Sequence, residues 1–195
     1  MERKKVVIIG DGACGKTSLV MKIVTGEWHT YFMPTVFEIS VIEVTVGGKV
    51  FELSLVDTAG QEDYERLRPI AYSGAHVVLI CFCIAHPDSL DNVYEKWAQE
   101  VEFYCPNVPI LVVGCQSDRR TEAQTLQSLS SWGQTPTTPE MGEAVARQIG
   151  AERYIDCSAK NDDGINMLFE QAARASMHSR HKITRRLLFV GDSDS

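Results

Sequence analysis

Short apolar runs closed by turn residues recur along the chain: Val6 to Ile9, Phe51 to Val56, Val77 to Ile84, Ile110 to Val113 and Tyr154 to Cys157. Runs of this kind, bounded by turn residues, read as strands buried on both faces. Between most of them lie stretches with apolar residues at three-to-four spacing: Thr17 to Thr25, Glu62 to Tyr72, Ser89 to Tyr104, Glu140 to Ile149 and Gly164 to His178. That period is helical. One segment differs. Ile39 to Val46 alternates apolar and polar residues before Gly47-Gly48, which predicts an antiparallel edge strand turning back into Phe51 to Val56.

Alternating strands and helices predict an α/β fold with a mostly parallel, doubly wound sheet. Thr121 to Thr138 is rich in Ser, Thr and Gln and interrupts the rhythm, so it reads as an inserted surface element. Thr138-Pro139 supplies the cap and first position of the helix that follows. A chain of 195 residues fits one domain, expected over residues 1–178 with the insert at about 121–138, and a variable tail over 179–195.

Charge and composition mainly exclude. The formal net charge of -7 argues against a broad nucleic-acid face, which needs clustered Lys and Arg. No apolar run approaches the roughly 20 residues that span a bilayer, so a cytoplasmic protein is expected. The six cysteines show no zinc or redox spacing and the five histidines are scattered, so no metal is assigned to either.

The chemistry enters at Gly10-Asp11-Gly12-Ala13-Cys14-Gly15-Lys16-Thr17, followed by Ser18. This matches the Walker A pattern and stands between a predicted strand and a predicted helix. Gly10, Gly12 and Gly15 let the backbone curl so that amide N–H groups face phosphate oxygens, and the helix N-terminus adds its positive end. Lys16 would bridge β- and γ-phosphates, and Thr17 would give its hydroxyl to Mg2+. The loop alone leaves ATPases, kinases and GTPases open.

Asp57-Thr58-Ala59-Gly60-Gln61-Glu62 ends a predicted strand, where Asp57 can hold Mg2+ through water and Gly60 can offer its N–H to a γ-phosphate. With Pro34-Thr35 upstream, this resembles the switch regions of small GTPases. Pro34-Thr35-Val36-Phe37-Glu38 and Tyr64-Glu65-Arg66-Leu67-Arg68 look like those of the Rho family, and the insert lies where that family carries an extra helix. The resemblance covers roughly Lys4 to Met177. It implies a six-stranded sheet, GTP and GDP as substrate and product, and Mg2+ held by Thr17, Thr35 and, through water, Asp57. It also implies catalysis by Gln61, which orients the attacking water, and a switch in which Thr35 engages the metal only with GTP bound. Exchange factors, GTPase-activating proteins and effectors are the implied partners. The effector surface would use Pro34, Val36, Phe37, Glu38, Tyr64 and Leu67, in cytoskeletal or polarity signalling.

The base-reading segment departs from the family's Asn-Lys-x-Asp and reads Cys115-Gln116-Ser117-Asp118. Asp118 can still accept the N1–H and 2-amino donors of guanine, which adenine lacks. Ser158-Ala159-Lys160 resembles the loop whose backbone N–H meets the guanine carbonyl oxygen. Trp28 stands where the family has a Phe against the base, and Phe32 where it has a Tyr; either could instead be ordinary packing. Replacing Lys by Gln116 is expected to lose packing and a charge-assisted bond to phosphate-loop carbonyls, and so to speed nucleotide release. An alternative reading follows from this, a non-cycling or fast-exchanging GTP-binding scaffold with little hydrolysis. The sequence carries no cysteine after Cys157, so no stable lipid anchor is expected. Arg180, Lys182, Arg185 and Arg186 suit a plain solvated tail or, as the alternative, weak electrostatic membrane contact. A monomer is expected.

Overall fold

The structure, a computed structural model, describes residues 1–28, 37–60, 66 and 68–177. Six strands run β1 (Glu2–Gly10), β2 (Phe37–Val46), β3 (Lys49–Thr58), β4 (Val77–Cys83), β5 (Ile110–Cys115) and β6 (Arg153–Cys157). They form one sheet in the order β2-β3-β1-β4-β5-β6. Only β2 is antiparallel to its neighbour, and its register pairs Phe37 with Thr58 and Val46 with Lys49 across the Gly47-Gly48 turn. The helices are α1 (Lys16–Thr25), α2 (Arg68–Tyr72), α3 (Asp88–Asn92), α4 (Ala98–Tyr104), α5 (Ala123–Ser130), α6 (Pro139–Gln148) and α7 (Ile165–Ser176).

Strand periodicity divides the core between the two faces. Val6, Ile8, Leu53, Leu55, Leu79, Cys81 and Val113 point to one side, where α1 and α7 cover them with Leu19, Leu168 and Phe169. Val7, Ile9, Val56, Val78, Ile80, Phe82 and Val112 point to the other, under Tyr72, Trp97, Val101 and Ala146. Alternate residues of each central strand thus bury on opposite faces, which is why Val6 to Ile9, Val77 to Ile84 and Ile110 to Val113 are apolar throughout.

One detail departs from the simplest reading of the pattern. The helix expected over Ser89 to Tyr104 is interrupted: between α3 and α4 the backbone makes a π turn at Val93–Trp97. Its wider winding brings Asn92 and Trp97 round to one target, described below. The helix expected over Glu62 to Tyr72 is described only as α2, and residues 62–65 and 67 lie outside the described residues. Within Thr121 to Thr138 the chain forms α5, whose Thr125 and Leu129, one turn apart, are the buried face. The segment then runs to Thr138, whose hydroxyl accepts from the Met141 amide at 3.4 Å with Pro139 in the first turn of α6. Arg120 ties the end of this segment to the sheet. Its Nε donates to the Thr137 carbonyl at 2.9 Å, and its two terminal nitrogens reach Asp156 at 2.8 and 2.9 Å.

Candidate functional site

β1 pairs with β3 on one side and β4 on the other, so the direction of winding reverses at its C-terminal end. Crevices at such a reversal are where open α/β sheets bind ligands. The loop from Gly10 to Gly15 leaves β1 at this point. Gly10 has φ 139°, and a Cβ there would stand 2.0 Å from the Cys81 carbonyl oxygen, so both conformation and space require glycine. Ala13 takes the left-handed region at φ 58° and Gly15 at φ 114° before α1 begins at Lys16.

Lys16 is buried, and its ammonium donates to the carbonyls of Gly10 at 2.8 Å and Asp11 at 2.7 Å, which holds it along the inner side of the loop. Cys14 packs beneath. Burial pushes its thiol up to about 12 despite the Lys16 ammonium nearby, so it is a neutral packing group and not a nucleophile. Thr17 Oγ1 donates to Asp57 Oδ2 at 2.6 Å across the gap between α1 and β3. Two hard oxygens held this close, one of them anionic, suit a small divalent cation of the Mg2+ type. Beyond Asp57, Gly60 lies against the loop: a Cβ there would be 2.4 Å from the Gly12 nitrogen and the Gly10 oxygen.

Asp11 faces the other layer. Asn92 Nδ2 donates to its Oδ2 at 2.7 Å and Trp97 Nε1 to its Oδ1 at 2.8 Å, so the π turn anchors the phosphate loop from behind. Arg68 stacks over the Trp97 ring at 4.9 Å, donates to the Ala59 carbonyl at 3.3 Å and pairs with Glu100 at 2.8 Å. Tyr72 also donates to Glu100, at 2.7 Å. Burial first and the Glu100 carboxylate second push the Tyr72 phenol well above its usual range. Asn92, Trp97 and Glu100 were not legible as site residues, since their only sequence signal is polar or aromatic character inside a helical pattern. Asp11 and Arg68 stand within the phosphate-loop and switch motifs, but nothing in the sequence announces these contacts.

A cleft opens from the loop along the ends of β5 and β6. Ala13, Gly15, Lys16, Thr17, Ser18, Trp28, Gln116, Asp118, Ala159 and Lys160 line it, together with Leu19, Cys115, Arg119 and Glu122. The first ten are sequence-predicted and Cys115 stands in the base-reading segment, whereas Leu19, Arg119 and Glu122 were not singled out by the sequence. Asp118 is fixed by Ser158, whose hydroxyl donates to Oδ1 at 2.6 Å and in turn accepts from the Asn161 amide at 3.1 Å. Lys160 lies 4.0 Å from Asp118 and 5.9 Å from the Trp28 ring, so Trp28 borders the same space.

Gln116 corrects one expectation. Its backbone is left-handed, φ 61° and ψ 42°, and its Nε2 donates to the carbonyls of Ala13 at 3.2 Å and Cys14 at 3.3 Å. The contact with phosphate-loop carbonyls expected to vanish with the missing lysine is therefore made by an uncharged amide. The bond to the loop survives without its charge, because the left-handed backbone aims the shorter side chain at the loop. Cys115, by contrast, is buried, with its Cβ beneath Gly15 and its Sγ 4.0 Å from the Val113 carbonyl, so it offers no amide-like bridge.

Of the remaining predicted positions, Phe37 and Glu38 are exposed at the start of the edge strand β2. Phe32, Pro34, Thr35, Val36, Gln61, Tyr64 and Leu67 lie outside the described residues.

Comparison with known proteins agrees with this geometry. The Ras family sequence model matches residues 5–178. The chain is 54% identical to GTP-binding protein rho5 of Schizosaccharomyces pombe over 175 residues, covering 90% of this chain and 88% of the relative. It is 51% identical to GTP-binding protein rho1 of the same organism, covering 92% and 89%. It is 52% identical to GTP-binding protein RHO1 of Saccharomyces cerevisiae, covering 92% and 86%. With a six-stranded sheet, a phosphate loop at its winding reversal and these relatives, the chain belongs to the Ras family, as a Rho-type small GTPase.

Proposed function

We propose that this protein is a guanine-nucleotide switch that binds GTP in the cleft, hydrolyses it to GDP and phosphate, and signals through the two switch segments that contain Thr35 and Gln61. The observation that carries the reading is the junction of three elements: Lys16 along the inner loop, Thr17 bonded to Asp57, and Asp118 presented by Ser158. Asp118 accepts two donors from guanine, and adenine would leave the carboxylate unpaired. The Gly12–Ser18 backbone receives the phosphates, and Lys16 exchanges its carbonyl partners for β- and γ-phosphate oxygens. Thr17 and Asp57, with Thr35, would hold Mg2+, which when bound neutralises charge developing on the phosphates. Gln61 orients water for in-line attack on the γ-phosphorus, with the β-phosphate oxygen leaving. Trp28 and Lys160 flank the base, and the Ala159 amide meets its carbonyl oxygen.

Exchange factors, activating proteins and effectors are the general kind of partner for such a switch. Phe37 and Glu38, with Pro34, Val36, Tyr64 and Leu67, form the effector surface in this reading, within cytoskeletal or polarity signalling. Six free, buried cysteines suit a reducing, cytoplasmic compartment. The test is metal linkage: chelation should release GDP from the wild type at least tenfold faster. Thr17→Val should release it rapidly with or without chelator. Release from the wild type that ignores chelator would remove Thr17 and Asp57 from the metal site.

A further inference from the structure

The Gln116 contact to the phosphate loop depends on which end of its carboxamide faces the loop. The carbonyls of Ala13 and Cys14 are acceptors only, so the NH2 end must face them. The oxygen end is fixed by Arg119, whose Nη1, a donor only, reaches Gln116 Oε1 at 3.0 Å. Arg119 is itself held. Its Nε donates to Glu122 Oε2 and Thr125 Oγ1, both at 3.3 Å, and the Thr125 hydroxyl donates to Glu122 Oε2 at 2.6 Å. That Thr125 bond is also the first cause of the lowered Glu122 pKa, ahead of an opposing burial effect and then the Arg119 bond. Thr125 is 3% exposed and belongs to the buried face of α5, so the chain of bonds begins in the insert and ends on the phosphate loop.

We propose that Arg119 is a positioning residue for nucleotide retention: it orients Gln116 so that the amide clasps the phosphate loop, and through Glu122 and Thr125 it couples the inserted helix to the rate of nucleotide release. The proposal rests on the reading that this cleft holds a guanine nucleotide. Every link has its donors and acceptors matched, and no alternative orientation of the Gln116 amide satisfies both the loop carbonyls and the guanidinium. Arg119 is about two-fifths exposed, so its effect is moderate in size. The coupling needs no movement of the sheet. Whatever displaces α5, by packing on its outer face, loosens Arg119 and frees the amide to turn.

The experiment measures displacement of a fluorescent GDP analogue at fixed Mg2+, after chromatography of the nucleotide released on denaturing the wild type. Arg119→Ala should speed release about 3- to 10-fold, the scale of one charge-assisted hydrogen bond at a half-exposed site. Thr125→Val and Glu122→Gln should act in the same direction. In a Gln116→Lys background, where the side chain offers no acceptor and the guanidinium meets a like charge, Arg119→Ala should leave release unchanged or slow it. Equal acceleration in both backgrounds would show a merely structural role and overturn the proposal, as would wild-type release from Arg119→Ala. A wild type that retains no guanine nucleotide overturns the reading of the cleft and the proposal with it, whereas tight nucleotide with no Arg119 effect overturns the proposal alone.

Discussion

Removing the Glu100 carboxylate perturbs both the core and the site. Arg68 is 2% exposed and Glu100 16%, and their side-on contact uses Nε at 2.8 Å and Nη2 at 3.3 Å. Glu100→Ala strips the guanidinium of this carboxylate and the Tyr72 hydroxyl of its acceptor. Breaking a buried pair from one side costs about 3–5 kcal/mol, since a charge stays behind in a poorly hydrated place. Glu100 lies at the edge where water enters, and Arg68 keeps the Ala59 carbonyl and the Trp97 face, so the lower end applies, about 3 kcal/mol. For a domain of this size each kcal/mol moves the melting temperature by about 2–4 °C, giving a fall of about 6–12 °C. Glu100→Gln keeps one oxygen that can accept from Arg68 Nε and the Tyr72 hydroxyl but sets an NH2 donor against Arg68 Nη2, and should lose about half as much. The assay is calorimetry with GDP and Mg2+ saturating, because bound ligand raises the Tm by mass action. A fall below about 2 °C for Glu100→Ala would refute the reasoning, since the pair would then be hydrated in solution.

Asp118→Asn should weaken GDP binding by more than about a hundredfold, the equivalent of roughly 3 kcal/mol from charge-assisted bonds, and improve binding of xanthosine diphosphate, whose 2-oxo group accepts from an amide. Competition against a fluorescent GDP analogue reads both, and unchanged guanine affinity would dismiss Asp118 as the base reader. Trp97→Phe should leave Asp11 with Asn92 alone and loosen the phosphate loop, raising the GDP Kd about 3- to 10-fold; titration calorimetry showing wild-type affinity would contradict the anchoring role. Burial raises the thiols of Cys105 and Cys157 as well as Cys14, so Ellman's reagent at pH 8 should label the native protein slowly and the denatured chain completely. The folded thiols hold protons that the unfolded ones lose, so stability should be flat up to about pH 8 and decline above about pH 9. A denaturation midpoint that does not move between pH 8 and 10 would oppose it.

The sheet was legible because its central strands are buried on both faces: Val77 to Ile84 is apolar at every position, and its length suits a buried strand better than a helix. The phosphate loop and the Asp57 segment were legible because backbone curvature and metal chemistry demand particular residues in contiguous order. Contacts that join distant elements were not. The π turn at Val93–Trp97 has no distinctive residues, and Asn92 and Trp97 meet Asp11 only because that turn rotates them. Gln116 was misjudged for a related reason. Its reach depends on a left-handed backbone that a glutamine does not announce, and its orientation depends on Arg119 and on the insert behind it.

Single-turnover hydrolysis tests the central claim most directly: protein loaded with γ-labelled GTP and Mg2+, sampled for free phosphate, beside Gln61→Leu and beside an ATP-loaded control. The account predicts first-order phosphate release from GTP by the wild type, little or none from Gln61→Leu despite equal loading, and negligible loading with ATP. Equal phosphate release from wild type and Gln61→Leu, or equal loading with ATP and GTP, would contradict it.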